Sequence, residues 1–159
     1  MASETEQTKP NIVIILVDDL GWNDVGYHNE NVSTPNIDRL AKAGVELDRF
    51  YVNPTCSPTR ASLMSGEFAT TNGVESPVQW HSKTGLPLNQ RILPQFLKSE
   101  GYSTHLVGKW HLGSADRDYW PQRRGFDSFY GHLNGGLDIT IIFFPGEKTG
   151  RKMALPFAS

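Results

Sequence analysis

Branched apolar runs and short helix patterns alternate along this chain, and that alternation restricts the fold more than any other feature. Ile12–Val17 is a continuous branched apolar run bounded by polar residues. Such a run suits a central strand covered on both faces, as in a parallel sheet. Thr34 to Gly44 then carries helix punctuation: Thr34 as a cap, Pro35 at the first helical position, Gly44 just past the end. Ile37, Leu40 and Ala41 share one face of that helix, and Val45–Val52 reads as a second strand. Ser57-Pro58 opens another short helix with Gly66 as its stop, and residues 67–91, rich in Gly, Pro, Asn and Thr, read as loop. Leu93 to Gly101 repeats the Pro-start, Gly-stop pattern, and Tyr102–Val107 reads as a third strand. Residues 114–136 read as mostly irregular, and Asp138–Phe144 as a further strand. Strand alternating with helix argues an α/β fold with a largely parallel sheet.

The bulk properties narrow the function classes. A chain of 159 residues is about one domain and can bury a sizeable core. Its net charge is −2 with Lys and Arg scattered, so nothing points to nucleic acid or to an anionic membrane. One cysteine excludes an intramolecular disulfide framework. Residues 1–10 are polar, lack an apolar core and read as a flexible leader, not a signal peptide. Ile12–Val17 is far shorter than the roughly 20 residues that span a bilayer. Asn31-Val32-Ser33 is a glycosylation triplet, meaningful only in a secreted protein.

Three clusters could carry chemistry. In open α/β sheets ligands bind beyond the carboxyl ends of the strands. Asp18-Asp19 and Lys109-Trp110-His111 both follow an expected strand. Asp18-Asp19 on its own is good turn chemistry. Two adjacent carboxylates also repel unless a cation sits between them, and Ca²⁺ or Mg²⁺ prefers such oxygen ligands. Cys56 immediately precedes an expected helix N-terminus, where backbone N–H groups and the helix dipole favour anions. A lone cysteine is commonly a buried, inert side chain; the other reading is a nucleophile. Arg60 lies one helical turn beyond Cys56, so both can face one pocket. Lys109 and His111, two apart in a segment leaving a strand, project to the same side, and Trp110 points the other way, into a core. Each of these taken alone has a plain structural reading: a turn for Asp18-Asp19, a buried thiol for Cys56, surface side chains for Arg60, Lys109 and His111.

Together they resemble the type I, formylglycine-dependent sulfatases. Cys56-Ser57-Pro58-Thr59-Arg60 fits Cys-x-Pro-x-Arg, and Ala61, Ser62, Leu63, Ser65 and Gly66 extend the match. Asp18-Asp19 upstream and Gly108-Lys109-Trp110-His111-Leu112-Gly113 downstream follow in the family's order. Arg124-Gly125-Phe126-Asp127 resembles a further family stretch, read here as structural with Phe126 as packing, and the motif spacing is similar to the animal arylsulfatase B-like branch. The resemblance implies an alkaline-phosphatase-like sulfatase fold, here its incomplete N-terminal part over residues 11–136, with 137–159 an unrecognised tail. It implies that a formylglycine-generating enzyme converts Cys56 to formylglycine, whose aldehyde hydrates to a geminal diol at the metal. One hydroxyl attacks the sulfur of an aryl or carbohydrate sulfate ester, and the other then expels sulfate. Asp18, Asp19 and converted Cys56 would be metal ligands for Ca²⁺ or Mg²⁺. Arg60 would steady the charged intermediate, Lys109 would bind a sulfate oxygen, and His111 would take the proton of the diol. Lysosomal, secreted or periplasmic placement is what the family suggests.

The departures bear on activity. Residues 65–73 differ from the family's usual Gly-Arg-Tyr and His-x-x-Gly pattern at the pocket floor. Family members are much longer and take further metal and sulfate ligands from the part beyond, so the expectation is a chain weakly active or inactive alone. Two other readings stay open: a non-catalytic piece that binds an anion or a partner, and a phosphonate or phosphate ester hydrolase of the same superfamily.

Overall fold

The computed structural model describes residues 9–136 and 142–144. It divides into two compact units, Met1–Phe50 and Tyr51–Ser159.

In the first unit, α1 spans Pro35–Ala43, with proline in its first turn and Gly44 closing it. Thr34 does not cap it through its side chain. Its hydroxyl instead accepts from Gly26 N–H at 2.7 Å and donates to Asp38 Oδ1 at 2.7 Å, which ties the helix to the preceding turn. A 3-10 turn at Trp22–Asp24 precedes it. The His28 ring stacks on Trp22 with centroids 3.7 Å apart. Its Nδ1 faces the Trp22 carbonyl at 2.9 Å and its Nε2 faces Glu46 Oε1 at 2.6 Å. A carbonyl and a carboxylate both accept, so the site favours the form of the ring in which both nitrogens donate, the imidazolium. Burial lowers its pKa, but the hydrogen bonds to Glu46 and Trp22 outweigh that and leave it raised.

Two expected strands do not form among the described residues. Ile12–Val17 and Val45–Val52 lie in no ladder, and Val13 is 81% exposed. Apolar branching suits a residue to a sheet, but a strand exists only through its partner.

The second unit carries the core. α2 spans Cys56–Ser65 and ends at Gly66 in the left-handed conformation (φ 72°), as its Gly stop predicts. α3, Ala69–Asn72, is a short helix inside the expected loop. α4 spans Leu93–Ser99, and its Gln95 side chain accepts from Ile92 N–H at 2.9 Å. β1, His105–Lys109, runs parallel to β2, Ser128–His132, in the register His105↔Ser128 to Lys109↔His132. β3, Ile142–Phe144, pairs antiparallel with β2. β1 is therefore two to three residues later than the Tyr102–Val107 run suggests. β2 lies in the stretch expected to be irregular. Of the further strand expected at 138–144, residues 138–141 lie outside the described residues. At the Gly108↔Gly131 pair a Cβ on Gly131 would lie 1.8 Å from the Gly108 carbonyl oxygen, so the two backbones approach where only glycine fits. Trp110, Phe129, Leu86, Ile92, Leu112 and Phe126 form the core with Ala61 of α2. Phe126 packs edge-on to Trp110 at 6.1 Å, which bears out its reading as packing.

Asp127 sets the start of the sheet. Its Oδ2 accepts from Thr104 N–H at 2.9 Å and Oδ1 from Lys98 Nζ at 2.5 Å. The Lys98 bond, opposed by burial and helped by Thr104, holds its carboxyl below the usual range. A lowered folded pKa gives stability that is present above the ordinary carboxylate pKa and lost as pH falls through the folded value. The pair is half exposed, so its worth is screened. Asp127→Asn is expected to cost about 1 kcal/mol at neutral pH. It should also flatten the loss of stability below about pH 4. Urea melts across that range check this; an unchanged acid limb would count against it.

Candidate functional site

The second unit brings Cys56, Arg60, Lys109 and His111 together. Cys56 is not ahead of the helix but its first residue, with Thr55 at the cap position. Its side chain is half-buried. His111 lies just past the end of β1, and its Nδ1 is 3.1 Å from Cys56 Sγ. The other ring nitrogen, Nε2, is 2.9 Å from the Val78 carbonyl. A carbonyl only accepts, so Nε2 carries a proton, and in the neutral form of the ring Nδ1 presents its lone pair to position 56.

Backbone strain makes this possible. His111 has φ 56°, left-handed for a non-glycine residue. Such a conformation costs of order 1–3 kcal/mol and persists only where the surroundings hold it. Here the His111 N–H donates to Leu133 O at 3.0 Å, and its carbonyl accepts from Ser57 Oγ at 2.8 Å. Gly135 lies against the ring; a Cβ there would come within 2.5 Å of Cε1. Strand alternation thus does not carry through to His111 from Lys109: the chain turns left-handed at His111, and the two side chains are aimed by different constraints.

Arg60 Nη1 donates to the Lys109 carbonyl at 2.7 Å, which ties α2 to the end of β1. Lys109 is half-buried. Trp110 is buried and its Nε1 donates to Tyr119 O at 2.9 Å, as a core tryptophan should. Asp18 and Asp19 belong to the first unit, where both are exposed and Asp19 has φ 58°. They offer the oxygen donors a hard cation takes. Among the described residues no group of three or more His, Cys, Asp or Glu side chains could hold a metal.

Residues that sequence reasoning passed over also shape the site. Ser57, Val78 and Gly135 all touch His111 or its partners, and Arg124 holds the 86–90 loop that leads to it. Ser57 stood inside the motif as a variable position. Val78 and Gly135 bear no local signal, and Arg124 stood in the Arg-Gly-Phe-Asp stretch read as structural.

The family model described as Sulfatase matches residues 10–142. Arylsulfatase J of Mus musculus is 45% identical over 132 residues, covering 82% of this chain and 22% of that protein. Arylsulfatase G of Rattus norvegicus is 44% identical over 133 residues, covering 82% of this chain and 25% of that protein. The crystal structure of Ps i-CgsB in complex with k-i-k-neocarrahexaose superposes with a TM-score of 0.75 at 39% identity, over 80% of this chain and 29% of that one. The chain spans about a quarter of the length of the curated relatives it matches. No helix among the described residues is long and apolar enough to cross a membrane.

Proposed function

This chain belongs to the sulfatase family, and from that premise we propose that its residues are the front part of a sulfuric ester hydrolase site whose reacting position is Cys56. The observation that carries the reading is the 3.1 Å approach of His111 Nδ1 to Cys56 Sγ at the N-terminus of α2. A formylglycine made there from Cys56 would supply a hydrated aldehyde, with one hydroxyl to attack sulfur and a second to release sulfate. His111 Nδ1 faces the atom borne by position 56 and accepts its proton. The N-terminal N–H groups of α2 favour the negative charge of a sulfate. Lys109 adds a positive charge beside it. Arg60, anchored on the Lys109 carbonyl, holds a guanidinium in the same place.

Asp18 and Asp19 are the residues proposed to hold Ca²⁺ or Mg²⁺, which would supply further positive charge. Ca²⁺ takes roughly six to eight oxygens, of which these two side chains provide a minority. The 159 residues taken alone are therefore expected to turn over sulfate esters weakly or not at all. Aryl and carbohydrate sulfates are the proposed substrates; the sugar ligand of the Ps i-CgsB complex supports the second class. A formylglycine-generating enzyme is the proposed partner, and a lysosomal, secreted or periplasmic compartment the proposed setting.

The test is co-expression with a formylglycine-generating enzyme, peptide mass spectrometry across Cys56, then aryl sulfate and aryl phosphate assayed side by side. The expected outcome is an aldehyde at position 56 and a preference for sulfate. A thiol that stays unmodified would move the reading to a non-catalytic anion- or partner-binding role. A preference for phosphate would move it to the phosphoryl branch of the superfamily. Robust turnover by the 159 residues alone would overturn the expectation of weak activity.

A further inference from the structure

Ser57 is fully buried, at 0% exposure, in the first turn of α2. A hydroxyl there has one proton to give and lone pairs to accept. Its Oγ–H donates to the His111 carbonyl at 2.8 Å, and the same oxygen accepts from the Val78 N–H at 3.0 Å. Val78 in turn receives the proton of His111 Nε2 on its own carbonyl, at 2.9 Å. One side chain therefore holds the backbone of His111 directly and holds the residue that orients the imidazole.

We infer that Ser57 is a positioning residue, which fixes the left-handed backbone of His111 and the Nε2–H tautomer of its ring so that Nδ1 meets position 56. The inference rests on the reading of His111 as the group that takes the proton there. Three features of the geometry carry it. The donor and acceptor directions are both used, so neither alanine nor an acceptor-only group can replace the hydroxyl. The three segments meeting at Ser57 Oγ are far apart in sequence: the start of α2, residue 78 in the loop, and residue 111 after β1. The bond to His111 O is made where φ is 56°, across from the Leu133 carbonyl that accepts the His111 N–H. Without Ser57, both anchors of the ring loosen together, while Cys56, Arg60 and Lys109 keep their places in sequence and charge.

The readout is the tautomer, which does not depend on turnover. The full chain carrying the Cys56 thiol, labelled with ¹⁵N-histidine, is examined by long-range proton–nitrogen correlation at a pH where the rings are neutral. In the unaltered chain His111 is expected to carry its proton on Nε2. Ser57→Ala should make the Nδ1–H form appear, with the other histidines keeping their shifts, and Ser57→Thr, which keeps the hydroxyl, should restore the original spectrum. Alkylation of Cys56, the chain's one thiol, should shift in its pH dependence in Ser57→Ala and not in Ser57→Thr. In the converted protein Ser57→Ala should lower kcat about tenfold to a hundredfold with KM little changed.

An Nδ1–H tautomer in the unaltered chain overturns the inference without any variant being needed. So does a Ser57→Ala chain whose His111 tautomer and Cys56 alkylation profile match the original. A fixed Nε2–H tautomer in a protein that hydrolyses no sulfate ester would uphold the positioning and sink only the reading of the site as catalytic.

Discussion

Arg124→Met is expected to lower the unfolding free energy by about 3 kcal/mol. Arg124 closes the 3-10 turn Pro121–Arg124 and is 2% exposed. Its Nη1 donates to Leu86 O at 2.8 Å, and its Nη2 to Pro87 O at 3.1 Å and Gln90 O at 3.0 Å. Burial pulls its pKa below the usual value, opposed by Tyr119, and an arginine still keeps its charge at neutral pH. Two effects compete on removing it. Methionine relieves the desolvation of a buried cation, whose Nε has no hydrogen-bond partner among the described residues. It also strips one buried and two part-buried carbonyls of their donor. Bonds to a charged donor are worth roughly 1.5–3 kcal/mol each, so the loss wins. Arg124→Lys should recover less than half, because a compact ammonium does not reproduce the planar spread of the two Nη groups. Urea melts of the three proteins decide it, and a methionine variant within about 1 kcal/mol of the original would refute the argument. The loop so held donates Leu86 N–H to the Leu112 carbonyl at 3.0 Å, next to His111. A residue read as structural thus supports the site at one remove.

Loss of the imidazole should have the largest effect on chemistry. His111→Asn is expected to reduce whatever sulfate ester turnover the converted protein shows by about 10²–10⁴-fold, the usual worth of a positioned acid–base group. Asparagine is the suitable replacement because it tolerates the left-handed backbone that position 111 adopts. The variant should therefore fold, where His111→Ala adds backbone strain to the loss of function. Conversion of Cys56 should be unaffected, since the Cys-x-Pro-x-Arg motif is intact. Turnover is measured in the converted protein and divided by the fraction of aldehyde found by mass spectrometry. Full activity in His111→Asn would mean that the 3.1 Å contact to Cys56 has no part in the reaction.

How much of this was legible beforehand depended on the range over which each signal acts. Helix ends were legible because proline, glycine and their neighbours act within a few residues: α1, α2 and α4 lie within a residue or two of where Pro35, Ser57-Pro58, Pro94 and the following glycines put them. Strands were less so. Ile12–Val17 has the composition of a buried strand and no ladder among the described residues, while Ser128–His132, with Gly131 inside it, pairs on both sides. Pairing is made with a distant segment, and composition reports only the side chain's fitness for it.

The sequence by itself determined the family and marked Cys56 and the charged residues near it as candidates, because the motif residues are contiguous and need no partner to be recognised. Only the tertiary structure decided what each of them does for the others. It set the Nδ1 of His111 against Cys56 across 55 positions, turned His111 left-handed, placed Arg60 on the Lys109 carbonyl, and made a buried hydroxyl at Ser57 the meeting point of three segments. The physical reason is that a hydrogen bond's direction and a ring's tautomer depend on which acceptor lies opposite, and here the acceptors are backbone carbonyls, which every residue carries alike.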